Sequence, residues 1–296
     1  MMGFAAVKTL PATSPTASAA STAAHPPAMS DAAAVRAKPF CKIELRAADG
    51  AGPAETSGAE HDFSWQSPPA EPGVGLTPGA VHLWRTALEG AGDAGVDWEE
   101  MLSADERARA GRFKFETDRA RFVAARGWLR LVLARYTGVA PHELAFGCGA
   151  HGKPHLRCDQ AGGGGAVEFN LSHAESFALL AITRGRAIGV DVERVRAVAD
   201  GAAMAARYFS AREQREWRAL PPERQAEAWL KIWVRKEACV KATGGGLDEA
   251  LSQLEVIGSG GGVGRVTFAD AAGGAVSCGL VGFEPVDGYV AAVAVR

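Results

Sequence analysis

Trp233-Val-Arg-Lys-Glu237-Ala-Cys-Val-Lys241-Ala-Thr-Gly-Gly-Gly-Leu247 reads as the last turns of a long helix and its stop. Trp229, Trp233, Glu237 and Lys241 recur every four residues, which sets them along one side of that helix. Ala226, Leu230 and Val240 continue the apolar surface beside them. A carboxylate and an ammonium therefore lie along the edge of an aromatic stripe. One glycine stops a helix; the run Gly244–Gly246 also makes a loop that a ligand can approach closely. Taken alone, Glu followed four residues later by Lys is an ordinary surface pair contributing roughly 0.2–0.5 kcal/mol. A chemical role needs partners elsewhere.

Outward from this segment, the spacing predicts a helix over about Pro222–Thr243. A shorter helix near Ala202–Phe209 precedes it, and the capping box Ser210–Glu213 opens another. Strands are expected at Leu254–Ile257, Val266–Ala269, Val276–Phe283 and Tyr289–Val295. The first half has the same order. After the strand Ala80–Trp84 come a small helix at Asp97–Met101 and the capping box Ser103-Ala-Asp-Glu106. A long helix then runs over about Asp118–Tyr136. Phe122, Ala125, Leu129, Val132 and Leu133 form its buried stripe; Arg119, Arg121, Arg126, Arg130 and Arg135 occupy the other faces. Short strands at Leu144–Gly147, His155–Cys158 and Val167–Leu171 follow. Phe177–Thr183 and Ile188–Val192 are expected to form a hairpin about Gly185. Helices followed by antiparallel strands, twice, give an α+β fold built as a pseudo-twofold pair of similar α+β subdomains, 79–186 and 187–296. The duplication rests on element order, because no repeat is visible residue by residue.

The 296 residues carry a net charge of -2, so no global field favours nucleic acid or a membrane surface. Five scattered cysteines without a CxxC pair fit a reducing, cytoplasmic setting rather than a disulfide framework. No apolar run is long enough to span a bilayer. Residues 1–78 form an Ala/Ser/Pro/Gly-rich tail whose composition buries little and predicts disorder. The lack of acidic residues before Asp31 fits a transit peptide, the lack of Arg before Arg36 opposes it, and Met29 offers a second start.

The partners for Glu237 and Lys241 come from Ile188-Gly-Val-Asp191-Val-Glu193. In a strand, Asp191 and Glu193 share a face opposite Ile188, Val190 and Val192. Two adjacent carboxylates repel, and a divalent cation removes the repulsion; short acidic side chains suit Mg²⁺. Phe169-Asn-Leu-Ser172-His173 ends a strand with Asn170 and Ser172 on one face and His173 in the turn, a set able to bind phosphate. Strand geometry opposes a nucleophilic Ser–His contact, because neighbours in a strand point to opposite sides. In Gly152-Lys-Pro154, Lys153 supplies a point charge for phosphate and Pro154 fixes the turn. Cys148, His151, His155 and Cys158 are all acceptable zinc ligands, although three intervening residues between the histidines leave little room for a tetrahedral centre.

The segments Phe169–His173, Gly189–Glu193 and Trp233–Lys241, with Gly152–Pro154 and the closing Gly288-Tyr-Val-Ala-Ala-Val, resemble the ordered signatures of the surfactin-synthetase-activating type of 4'-phosphopantetheinyl transferase. The resemblance covers roughly Val81 to Arg296. It implies a pseudo-twofold α+β fold with the active site in the cleft between the halves, where coenzyme A binds. It implies Mg²⁺-dependent transfer of phosphopantetheine to a serine of an apo acyl or peptidyl carrier protein, releasing 3',5'-ADP. On this resemblance Asp191, Glu193 and Glu237 hold the metal, and Glu237 also deprotonates the serine. Lys241 steadies the leaving phosphate, and Arg126, Lys153, Pro154, Asn170, Ser172 and His173 surround the nucleotide. The chain departs from the pattern at Glu106, where members carry a basic residue; Arg109 lies one turn on. The expected enzyme is a cytoplasmic monomer serving fatty-acid, polyketide or nonribosomal peptide synthesis. The rival readings are a metal-dependent nucleotide phosphodiesterase, using the same carboxylates with water, and a zinc or nucleotide-binding module.

Overall fold

The computed structural model describes residues 40–45, 63–67, 75–77, 79–89, 96–149, 151–157, 165–244, 249–257, 264–269 and 274–296. The tail composition at 5–34, the glycine turn at 161–164, Cys158 and the loop 245–248 lie outside the described residues.

Along the chain, strands β1 (Phe40–Glu44) and β2 (Ala80–Ala87) precede helices α1 (Ala104–Ala110) and α2 (Glu116–Thr137). Strands β3 (Phe146–Cys148), β4 (Pro154–Leu156), β5 (Val167–Ala174) and β6 (Phe177–Arg184) complete the first half. The second half holds β7 (Ile188–Arg194), α3 (Gly201–Tyr208), α4 (Ala211–Arg218), α5 (Pro222–Thr243), β8 (Gly264–Ala269), β9 (Ala275–Phe283) and β10 (Tyr289–Val295). Two antiparallel sheets result, ordered β1-β2-β6-β5 and β7-β10-β9-β8, beside the small β3-β4 ribbon. In each half the strand that precedes the helices pairs with the last strand, and the last with the one before it: β2-β6-β5 and β7-β10-β9, with β1 added outside β2. The long helices α2 and α5 both have 22 residues. The repeat expected from element order is thus present as topology.

Helix, sheet, sheet and helix are stacked as layers. Leu129, Leu133 and Trp128 of α2 pack on Trp84, Leu180 and Ile182 of the first sheet. Leu230, Val234 and Ala238 of α5 pack on Cys278, Leu280 and Ala292 of the second. The remaining face of each sheet meets the other: Val81, Leu83 and Leu179 join Ile188, Val190, Val293 and Val295 in a shared core. Strands β7 and β10 are therefore buried on both faces, which explains the continuous apolar sequence of β10, whereas β7 keeps Asp191 and Glu193 on its second face. No helix among the described residues is long and apolar enough to cross a membrane.

Five expectations are corrected. Residues 40–44, placed in the tail, form β1 against β2. Asp97–Met101 is a turn, because Asp97 Oδ1 accepts the Glu99 amide at 2.9 Å and diverts the backbone from helix. Leu254–Ile257 is not a strand. Its backbone is held instead by buried side chains: Lys236 Nζ donates to the Leu251 and Leu254 carbonyls, and Glu213 Oε1 accepts the Val256 amide. The hairpin is β5–β6, with Ala174 opposite Phe177, whereas β7 crosses to the second sheet and pairs with β10. His173 lies within β5, opposite Ala178, and not in the turn.

Candidate active site

The two sheets meet along β5 and β7, the outer strand of each. Asp191 and Glu193 face α5, on the side where their β10 partners Ala292 and Val290 join the helix core. Gly189 makes this approach possible. A Cβ there would overlap the Ala238 carbonyl oxygen and the Ala242 amide nitrogen, so α5 rests directly on β7. Lys241, one turn beyond Glu237, then reaches the strand. Its Nζ donates to Asp191 Oδ1 at 2.7 Å, to the Val190 carbonyl at 3.2 Å and to Ser172 Oγ at 3.4 Å.

From the first half, Ser172 Oγ donates to Asp191 Oδ1 at 2.8 Å and accepts the Val192 amide at 3.3 Å. Asn170 Oδ1 accepts the Val190 amide at 2.8 Å. Lys153 Nζ donates to the Ile188 carbonyl at 2.7 Å, and burial lowers its pKa. Glu237, Asp191 and Glu193 are all buried, at 2%, 0% and 6% exposure. Carboxylates this deep are stable only when paired or coordinated. Lys241 answers for Asp191.

The structure therefore brings together Asn170, Ser172, Lys153, Asp191 and Lys241, with Glu237 on the helix above and Glu193 along the same strand face. His173 is exposed beside them, and Pro154 opens β4 opposite Cys148. Arg126 meets partners within the first half: its Nε donates to Glu106 Oε1 at 2.6 Å and its guanidinium lies 5.1 Å from the Phe146 ring centre. Sequence reasoning missed this pairing, although Arg126 and Arg130 are four apart on one helix face and both meet Glu106. It also missed the Lys236–Glu213 ion pair, 2.8 Å long and fully buried, which anchors α5 to α4. Trp229 is buried and stacks on Trp233, with ring centres 5.3 Å apart.

Asp191, Glu193 and Glu237 offer only oxygen donors, the chemistry that suits Mg²⁺. Among the described residues no three His, Cys, Asp or Glu side chains are gathered into a metal cage. Mg²⁺ does not require one, since one or two carboxylates plus substrate phosphates ordinarily hold it.

Two family models match this architecture half by half. The N-terminal 4'-phosphopantetheinyl transferase model covers residues 96–184, and the 4'-phosphopantetheinyl transferase superfamily model covers 187–294. The 4'-phosphopantetheinyl transferase HetI of Nostoc sp. is 40% identical over 188 residues, 64% of this chain and 78% of HetI. The chain belongs to the 4'-phosphopantetheinyl transferases. More distant relatives include psf-1 of Bacillus pumilus, 29% identical over 52% of the chain and 63% of psf-1. The human L-aminoadipate-semialdehyde dehydrogenase-phosphopantetheinyl transferase is 27% identical over 52% of either chain. The boundary between the two models, 184 to 187, falls at the crossing from β6 to β7. The transferase thus places its Asp191–Glu237–Lys241 group in the second half and its Asn170–Ser172 group in the first.

Proposed function

We propose that this transferase moves the 4'-phosphopantetheine group of coenzyme A onto a serine hydroxyl of an apo acyl or peptidyl carrier protein, with Mg²⁺, releasing 3',5'-ADP. The observation that carries the reading is the junction of Lys241, Asp191 and Ser172 between two transferase halves, with Glu237 one turn away on α5. Phosphoryl transfer asks mainly for positioning and charge neutralisation. Asp191, Glu193 and Glu237 would hold Mg²⁺, which when bound neutralises charge on the pyrophosphate. Glu237 accepts the proton of the serine hydroxyl as the serine oxygen bonds to phosphorus and the bond to 3',5'-ADP breaks. Lys241 supplies a positive charge to the departing phosphate. Lys153, Ser172 and His173, all from the first half, hold the nucleotide phosphates in this reading. An ammonium has three donors, and Ile188 takes one of those on Lys153. The enzyme acts as a cytoplasmic monomer; Cys41, Cys148, Cys239 and Cys278 are thiols, in keeping with a reducing compartment.

The test mixes the protein with coenzyme A, Mg²⁺ and several unrelated apo carrier proteins, and reads carrier mass. One phosphopantetheine should be added per carrier. Glu237→Gln should lower transfer by about 10²–10⁴-fold while coenzyme A still binds. Unmodified carriers with hydrolysed coenzyme A would instead establish a phosphodiesterase. Near-normal transfer by Glu237→Gln would remove the role assigned to that carboxylate.

A further inference from the structure

The outer strands β5 and β7 lie side by side without a backbone ladder between them. Among the described residues, β5 pairs with β6 alone and β7 with β10 alone. The outward backbone groups of β7 are nevertheless buried, and buried amides and carbonyls need partners. Side chains provide them. Asn170 takes the Val190 amide, Ser172 the Val192 amide, Lys153 the Ile188 carbonyl and Lys241 the Val190 carbonyl. Val190 is thus held at both its N–H and its C=O, and Asp191 sits between two pinned residues.

We propose that Asn170 is a positioning residue for Asp191, acting from the first half through the Val190 amide. The proposal rests on the transfer reading above, and it separates Asn170 from the residues that touch the nucleotide. The Val190 group is a donor, so the Asn170 atom facing it is the amide oxygen; the side-chain orientation follows from the chemistry. That oxygen lies within a residue only 5% exposed and is engaged by the strand. Ser172 Oγ meets Asp191 Oδ1 directly, but its reach depends on the register that Asn170 fixes two residues earlier on the same face. A displacement of about 1 Å at a reacting group can cost roughly 100-fold in rate. A side-chain seam that sets Asp191 therefore affects turnover without contacting the substrate.

The experiment compares Asn170→Leu, which keeps shape and removes the acceptor, with Asn170→Asp, which keeps an acceptor. In Asn170→Leu, hydrogen exchange at the Val190 amide should accelerate at least about ten-fold. The kcat for carrier modification should fall at least about ten-fold, with the coenzyme A dissociation constant within about two-fold of wild type. Asn170→Asp should restore Val190 protection. If Asn170→Leu does not fold, Asn170→Ser, whose hydroxyl is too short to span the gap, gives the same readings. A ten-fold or larger loss of coenzyme A affinity (about 1.4 kcal/mol) with Val190 protection unchanged would make Asn170 a ligand contact and overturn the proposal. Wild-type protein that modifies no carrier would defeat the transfer reading instead, while exchange at Val190 still decides whether the seam exists.

Discussion

In the first half a single carboxylate holds two arginines. Glu106 accepts from Arg126 and Arg130, and Arg130 also donates to the Pro141 and Leu144 carbonyls at 2.7 and 2.9 Å. Burial alone would raise the Glu106 pKa, but the two guanidiniums outweigh it and hold the carboxyl below its usual range. Arg130 is 2% exposed, so removing Glu106 leaves a buried charge uncompensated. Glu106→Ala should therefore cost about 3–5 kcal/mol in urea unfolding, and Arg130→Ala a similar amount. Because the two share one network, the double variant should cost far less than the sum. Losses within about 0.5 kcal/mol, as for an ordinary surface site, would contradict this assignment. The sequence marks Glu106 as an odd residue, since a base was expected there, and it marks the capping box in which Glu106 takes part. Which way the side chain turns depends on α2, twenty residues later, and local pattern carries no such information.

At the scale of elements, the contact of α5 with β7 decides where the site can be. The helix, its stripe and its stop were legible because period and glycine are local signals. The alternation in β7 likewise separated Asp191 and Glu193 from the apolar face. The partner of β7 was not legible, because it lies about a hundred residues along the chain in β10 and apolar strands do not name their neighbours. Gly189 is the residue that joins these elements. An added methyl at this position meets helix backbone on two sides, with no flexible atom able to move away. Gly189→Ala should push α5 off the strand, cost about 2–3 kcal/mol and lower transfer more than ten-fold by shifting Lys241 from Asp191. Gly282→Ala is the control, since the atoms nearest its methyl belong to the Arg235 guanidinium, the far end of a flexible side chain. Thermal unfolding and carrier modification of the two variants should diverge; equal behaviour would mean that the close approach at Gly189 is unimportant.

For the whole molecule, the shared core makes one folding unit of two similar halves. Val81, Leu83 and Leu179 from the first sheet lose their cover if the second unfolds, as do Val190 and Val293 in the reverse case. A perturbation confined to one half should therefore weaken both. His82 offers such a perturbation. It is buried in the first half, where Trp84 Nε1 donates to the Tyr136 hydroxyl at 2.7 Å and that hydroxyl lies 2.9 Å from His82 Nδ1. With Trp84 Nε1–H donating to the oxygen, the hydroxyl keeps its own proton to offer to Nδ1 of a neutral ring. Burial, with a smaller contribution from Lys42, lowers the His82 pKa from 6.5 to about 4. Between these values the unfolded chain binds a proton that the folded chain does not, so stability falls as pH drops through that window and is unaffected above it. The loss attributable to this residue is at most roughly 3 kcal/mol. His82→Gln keeps an acceptor for Tyr136 and cannot titrate, so the difference between its stability and that of wild type isolates the effect. The protection factors of the Leu180 amide in the first sheet and the Val293 amide in the second, each taken against the intrinsic exchange rate at the same pH, should fall together in wild type as pH drops from 6.5 to 4, and by less in His82→Gln. A fall at Leu180 alone would show that the two halves open independently, and the cleft between them would then be a hinge and not a fixed junction.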